Sequence, residues 1–114
     1  MICRFIGIDL GQSNTCASVR DNASLSLYTE TQPDGRYPTQ LFFEKDKVQY
    51  GSMASAGGNR DPLNFVKGWK QFVGTDKKFV AGGTERTPLE MCALMFSLVA
   101  REVLEGENLD PNEV

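Results

Sequence analysis

The residues with the most chemistry per position lie in one short run, Ile6-Gly7-Ile8-Asp9-Leu10-Gly11-Gln12-Ser13-Asn14-Thr15-Cys16. An apolar stretch reaches a carboxylate at Asp9, passes Gly11, and continues through small hydroxyl- and amide-bearing side chains. A buried strand gains nothing from a carboxylate near its end, so either a ligand uses Asp9 or water reaches it. A glycine between two strands lets the backbone come close to a ligand. Backbone N–H groups of a tight turn, with the side chains of Ser13, Asn14 and Thr15, can cradle phosphate oxygens. A carboxylate beside such a cradle repels phosphate unless a divalent cation lies between them. Mg2+ suits that place, because it keeps several waters and binds through one or two carboxylates plus phosphates. The run is therefore compatible with a Mg-nucleotide site. Taken alone, its spacing fits better with a plain β-turn in which Asp9 accepts turn N–H bonds. Neither a GxxxxGK nor a GxGxxG motif occurs in the chain.

Composition narrows the chemistry further. There is no histidine, so the side chain best suited to proton transfer near neutral pH, and the commonest metal ligand, is missing. The net charge of −3 and the scattered lysines argue against nucleic acid as the main partner. Cys3, Cys16 and Cys92 match no zinc or redox spacing, and each lies in an apolar segment. They read as reduced, mostly buried residues, which fits a cytoplasmic setting. The opening MICRFIGIDL has no basic region leading into a long apolar run, and Asp9 interrupts it. It reads as neither a signal peptide nor a membrane span. The length of 114 residues suits one domain, or one piece of a larger domain.

The elements that must position the run can be sketched from periodicity. Ile2 to Leu10 reads as a strand buried on both faces, Thr15 to Val19 as a second and Leu25 to Thr29 as a third. Asp21-Asn22 is a hairpin signal, and Pro33-Asp34-Gly35 is a turn. A second hairpin pairs Leu41 to Phe43 with Lys47 to Tyr50, and Ser52 to Asn59 forms one or two helical turns. In DPLNFVKGWKQFVG, Leu63, Phe65, Val66, Trp69, Phe72 and Val73 recur at helical spacing. Asp61 is suited to cap that helix, Pro62 to open it and Gly74 to stop it, while Gly68 weakens it by about 1 kcal/mol against Ala. In TPLEMCALMFSLVAREVLEG, Thr87 and Glu90 make a capping box around Pro88, and Gly106 ends the helix. Cys92, Met95, Phe96, Val99 and Val103 form one apolar stripe, and Met91, Leu94 and Leu98 a second beside it. So wide a face predicts a helix packed on two sides. The tail ENLDPNEV closes no fold, and the meander has unpaired edges. The expectation is therefore an N-terminal fragment whose strands pair with a second copy of the chain.

The run IGIDLGQSNTCAS resembles the first phosphate loop of the DnaK-type chaperones, the 70 kDa heat-shock family. Further resemblances follow in the family's order and cover essentially the whole chain. Tyr37-Pro38-Thr39 stands where that family has Thr-Pro-Ser. VQYGSMA resembles its valine–glycine–small-residue stretch, and NFVKGWKQFVG the segment carrying its catalytic lysine. TPLEMCALMFSLVAREVLEG resembles the helix before its Ile-Thr-Val-Pro strand. The resemblance implies an α/β fold of the actin-like ATPase (ribonuclease H-like) kind, of which this chain is the N-terminal portion. Residues 1–38 would be an antiparallel β-meander of the nucleotide-binding lobe, and residues 39–114 a small α/β subdomain. It implies ATP or ADP with Mg2+ as cofactors. It places Asp9 on the metal through water, Gly11, Gln12 and Ser13 along the β- and γ-phosphates, and Asn14 close by. It makes Lys70 the catalytic lysine, which positions the attacking water and stabilises charge on the γ-phosphoryl. On pattern alone Lys67 and Lys70 are simply solvated residues opposite an apolar stripe. Through the full-length protein the resemblance implies client peptides and co-chaperones as partners.

The sequence also departs from the family. Gln12 and Ser13 replace a pair of threonines, and Gln71 replaces the basic residue after the catalytic lysine. Arg36 and Tyr37 sit where threonines are usual, and Thr75 to Arg86 is a shortened stretch. These features indicate a divergent relative. The remaining nucleotide-binding elements would lie after Val114, so residues 1–114 supply one wall of a cleft and by themselves hold ATP weakly or not at all. Two other readings compete. One is another actin-like enzyme, such as a sugar or acid kinase. The other is a non-enzymatic interaction lobe presenting Trp69, Phe65 and Phe72 as an aromatic patch, against the plainer view that those rings are core.

Overall fold

The structure, a computed structural model, describes residues 5–20, 25–27 and 36–114. Cys3, the Asp21-Asn22 hairpin signal, the Pro33-Asp34-Gly35 turn and the outer ends of the first and third expected strands lie outside the described residues. The first sheet is built on a hairpin of β1 (Phe5–Leu10) and β2 (Asn14–Arg20), in register from Phe5↔Arg20 to Leu10↔Thr15. The other edge of β2 pairs antiparallel with β3 (Leu25–Leu27) toward one end and β4 (Arg36–Pro38) toward the other. A second sheet has the order β6-β5-β7, with β5 (Gln40–Phe43) between β6 (Val48–Tyr50) and β7 (Phe65–Lys67). A small hairpin joins β8 (Phe79–Ala81) to β9 (Thr84–Arg86). This is a mixed α/β fold, with helices α1 (Ser52–Arg60) and α2 (Pro88–Gly106).

β1 is not buried on both faces. Its residues alternate: Phe5, Gly7 and Asp9 face solvent, while Ile6, Ile8 and Leu10 are half-buried and pack against the core. The alternation arises because α2 covers only one side of this antiparallel hairpin. α1 is the helix expected at Ser52 to Asn59, one residue longer. It lies on β5 through Ala54 and Gly57, small residues that bring the helix close to the sheet.

The expected helix in DPLNFVKGWKQFVG does not form. Pro62–Asn64 is a single 3-10 turn, Phe65–Lys67 is strand β7, and Trp69–Phe72 is a second 3-10 turn. Two physical causes outweigh the helical period. β7 hydrogen-bonds to the free edge of β5 with Leu41 opposite Val66, which satisfies its backbone in an extended form. Gly68 then takes φ 71°, a left-handed conformation incompatible with a continuing helix. Asp61 makes no side-chain cap; it accepts instead from Asn64 Nδ2 at 2.9 Å. The residues that gave the helical spacing scatter accordingly. Leu63 is 84% exposed, whereas Trp69 is fully buried.

α2 is the spine of the core. Thr87 and Glu90 close the expected capping box, with Glu90 N–H donating to Thr87 Oγ1 at 3.1 Å and Thr87 N–H donating to Glu90 Oε1 at 3.0 Å. Met91, Met95, Val99 and Val103 are completely or nearly buried against Trp69, Tyr37, Leu41 and Ala17. The flank is less covered than the sequence suggested: Cys92 is half-buried and Phe96 is exposed. Cys16 is also half-buried. Near the far end of α2, Glu102 accepts from the hydroxyls of Tyr50 (2.6 Å) and Tyr37, whose rings stack with centroids 6.1 Å apart. One carboxylate on the helix thus ties β4 of the first sheet to β6 of the second. Among the described residues no helix is long and apolar enough to cross a membrane.

Three outcomes test this packing. Trp69 is the sole tryptophan, so its emission is expected to be blue-shifted and resistant to quenching; red-shifted, readily quenched emission contradicts the placement. Thr87→Ala is expected to lower stability by about 1 kcal/mol in urea denaturation. The backbone N–H of Thr87, then its hydroxyl, holds the Glu90 carboxyl below its ordinary range. A depressed folded-state pKa contributes stability that is present above the unfolded value and lost as pH falls through the folded one. Glu90→Gln should therefore be less stable than the native chain at neutral pH, and the gap should close on acidification.

Candidate functional site

The turn between β1 and β2 begins at Gly11 and ends at Asn14, closed by Gly11 N–H donating to the Asn14 carbonyl at 3.0 Å. Gly11 is needed there for space. A Cβ on it would sit 2.4 Å from the Asn14 carbonyl oxygen, closer than any side chain tolerates. The side chains of Gln12, Ser13 and Asn14 are all exposed, as is Asp9 on the solvent face of β1. Among the described residues nothing accepts the N–H of Gln12 or Ser13. The tip of the turn therefore offers donors outward, as a site for phosphate oxygens requires.

Behind the tip the turn is held by buried groups. Thr39, 3% exposed, follows β4; its N–H donates to the Ser13 carbonyl at 2.9 Å, and its hydroxyl donates to the Gly11 carbonyl at 2.9 Å. Thr15 Oγ1 lies 2.7 Å from Thr39 Oγ1. Nothing in residue spacing pointed to Thr39 as part of this assembly; the only sequence signal was its place in the Tyr37-Pro38-Thr39 segment.

Lys70 arrives from the other side. Its 3-10 turn follows Gly68, and its Nζ donates to the carbonyl of Leu10 at 2.6 Å. Leu10 lies between Asp9 and Gly11, so a cation sixty positions along the chain is brought to the acid–glycine turn. Gln71 donates from Nε2 to the Gly68 carbonyl at 3.0 Å, bracing the loop that carries Lys70. A depression of about 500 Å³ opens between the two segments, lined by Gln12 and Ser13, by Thr39 and Gln40, and by Lys67, Gly68 and Gln71, while Lys70 itself is not in its lining. Asp9 lines a different depression, of about 370 Å³, with Cys16 and Ser18 on the open face of the first sheet. Lys70, Gly11, Gln12, Ser13 and Asn14 thus converge on one turn, with the Asp9 carboxylate beside it on the outer face.

This donor set fits a nucleotide triphosphate with its cation. An ammonium, the free turn N–H groups and the Ser13 hydroxyl suit phosphate oxygens, and one exposed carboxylate suits a hydrated Mg2+. Among the described residues no three His, Cys, Asp or Glu side chains gather into a metal cluster. Asp9 is a single exposed carboxylate, so it would hold the ion only together with water and phosphate.

An antiparallel hairpin thus carries the acid–glycine turn, and a lysine from an adjoining α/β unit meets it. The family model for Hsp70 protein matches residues 5–114, and the chain belongs to the Hsp70 family. Its mixed α/β architecture, with small antiparallel sheets and two helices, is consistent with an N-terminal portion of the family's actin-like ATPase domain. The family comprises chaperones that generally bind ATP or ADP with Mg2+ and engage client proteins and co-chaperones.

The approach of Lys70 depends on the bend at Gly68, where any L side chain is strained. Gly68→Ala is expected to destabilise the chain by about 1–2 kcal/mol, read by urea denaturation, whereas Gly68→Asn should cost less. Equal stability of all three proteins would contradict the left-handed bend.

Proposed function

We propose that residues 1–114 form the N-terminal part of the ATPase domain of a divergent DnaK-like chaperone, acting in the cytoplasm. In this reading residues 1–38 belong to the nucleotide-binding lobe and residues 39–114 to a small subdomain. The observation that carries it is the hydrogen bond from Lys70 Nζ to the Leu10 carbonyl, which puts the proposed catalytic amine at the proposed phosphate turn. Membership of the Hsp70 family supports the same assignment. The kinase alternative has no comparable support, and the aromatic-patch alternative loses its central residue, because Trp69 is buried.

Phosphoryl transfer asks little covalent chemistry of the protein. It asks for position and for positive charge around the equatorial oxygens. Mg2+, when bound, would supply charge neutralisation at the phosphates, and Asp9 would hold it through water. The N–H groups at the turn, with the Ser13 hydroxyl and the Gln12 amide, fix the phosphate oxygens, and Asn14 lies beside them. Lys70 has its amine anchored on the Leu10 carbonyl, and an ammonium has further N–H bonds to donate. These can reach the terminal phosphoryl oxygens and the attacking water. Coupling of this step to client peptides and co-chaperones belongs to the full-length protein.

The test is phosphate release by the full-length protein with Mg-ATP. Lys70→Ala is expected to lower turnover about 100-fold or more while nucleotide binding is largely kept. Unchanged turnover in the variant would remove Lys70 from the mechanism, and absence of Mg-ATP binding in the native protein would overturn the reading itself.

A further inference from the structure

We propose that Thr39 is a positioning residue of the phosphate turn, a role that rests on the nucleotide reading above. Thr39 sits outside the acid–glycine run, yet it makes contact with that run at Gly11, Ser13 and Thr15. The proton assignment follows from counting. A hydroxyl has one proton, and that of Thr39 is given to the Gly11 carbonyl. The 2.7 Å contact with Thr15 must then be donated by Thr15. A chain runs from the Thr15 hydroxyl to the Thr39 hydroxyl to the Gly11 carbonyl. The two hydroxyls are buried, where each link polarises the next.

The consequence lies on the opposite side of the turn. These peptides are trans, and in a planar trans peptide the carbonyl and the following N–H point in opposite directions. Drawing the Gly11 carbonyl toward Thr39 aims the N–H of Gln12 away from it. Drawing the Ser13 carbonyl to the Thr39 N–H does the same to the N–H of Asn14. One buried residue thereby sets the peptide plane on either side of the Gln12–Ser13 tip: the first aims the Gln12 N–H, one of the two free donors, outward, and the second turns the Asn14 N–H back toward β1. Thr39 touches no reacting atom in this scheme; it acts through the turn.

β4 supplies the fixed point. Tyr37, two residues before Thr39, is fully buried, and its hydroxyl donates to Glu102 of α2. Thr39 therefore stands on a strand tied to the core, and the turn inherits its position from there.

The experiment compares native full-length protein with Thr39→Val, which keeps shape and loses the hydroxyl, and Thr39→Ser, which keeps the hydroxyl. Two readouts are used: hydrogen exchange of the Gly11 amide without nucleotide, and affinities for Mg-ATP and for adenosine. Thr39→Val is expected to speed Gly11 exchange and to weaken Mg-ATP binding, each about tenfold, with adenosine affinity unchanged. Thr39→Ser should restore both. Native-like exchange and Mg-ATP affinity in Thr39→Val would overturn the proposal, as would equal loss of adenosine and Mg-ATP binding, which marks general unfolding. If the native protein binds no Mg-ATP, the proposed function fails and this role with it; a native protein that binds, beside an unaffected Thr39→Val, refutes the role alone.

Discussion

Burial of Trp69 decides where the amine of Lys70 can go. The chain leaves β7 at Lys67, reverses through the left-handed Gly68, and enters a single 3-10 turn. In that turn Trp69 is driven into the core under α2, with no exposed surface. Burying so large a ring is worth several times the free energy of a surface hydrogen bond. The ring therefore sets the rotation of the turn, and Lys70, the next residue, is carried to the outside. Its bond to the Leu10 carbonyl is a result of that rotation more than a cause of it. A flexible lysine on an open surface would lose rotamer entropy to hold one place. Here the backbone beneath it is anchored by the buried Trp69.

A second constraint supports the first from across the molecule. α2 makes contact with β1, β2 and the turn that holds Trp69. Its Glu102 accepts from tyrosines on β4 and β6, so the helix clamps one strand from each sheet. β4 continues directly into Thr39 and then β5. The segment gripping the β1–β2 turn and the segment pairing with β7 are thus consecutive pieces of one strand path. A shift of β5 by one residue would move Thr39 off Ser13 and Val66 off Leu41 together. Both halves of the candidate site are therefore registered to the same backbone.

Much of this was legible in the sequence where the signal is local. The β1–β2 and β5–β6 hairpins follow from apolar runs bounded by polar turns, and α2 follows from a capping box before a long apolar stripe. The failure at residues 62–74 has the opposite character. Its apolar spacing fits a helix, but the pairing of Phe65–Lys67 with β5 is a contact between residues far apart in the chain, and no window reveals it. Gly68 was visible as a weak point in a helix and is in fact the point where the chain reverses. The β8–β9 hairpin carried a usable signal in Gly82-Gly83, a two-residue connection between strand-forming residues, that the periodicity reading passed over. At the site, residue types marked Asp9 and Gly11 to Asn14 as a place where chemistry is possible. They did not mark Lys70, whose role came only from resemblance to a family. They did not mark Thr39, because a buried threonine is chemically unremarkable until its partners are known.

The departures from the family pattern read in the sequence, at Gln12 and Ser13, fall on the tip of the turn and not on its support. Gln12 and Ser13 are exposed, and their side chains can change without disturbing Thr15, Thr39 or Gly11, which are held by one another. An amide in place of a hydroxyl keeps a hydrogen-bond donor but moves it outward along a longer, more mobile side chain. Serine keeps the hydroxyl and gives up the methyl that restricts threonine's rotamers. Both changes loosen side-chain donors while leaving the backbone donors where the buried network sets them. In a site of this design the peptide N–H groups and Lys70 carry the positional information, and the side chains at the tip adjust strength. On the proposed reading, substitution at Gln12 and Ser13 would alter the grip on phosphate without unmaking the geometry that Thr39 and Trp69 hold in place.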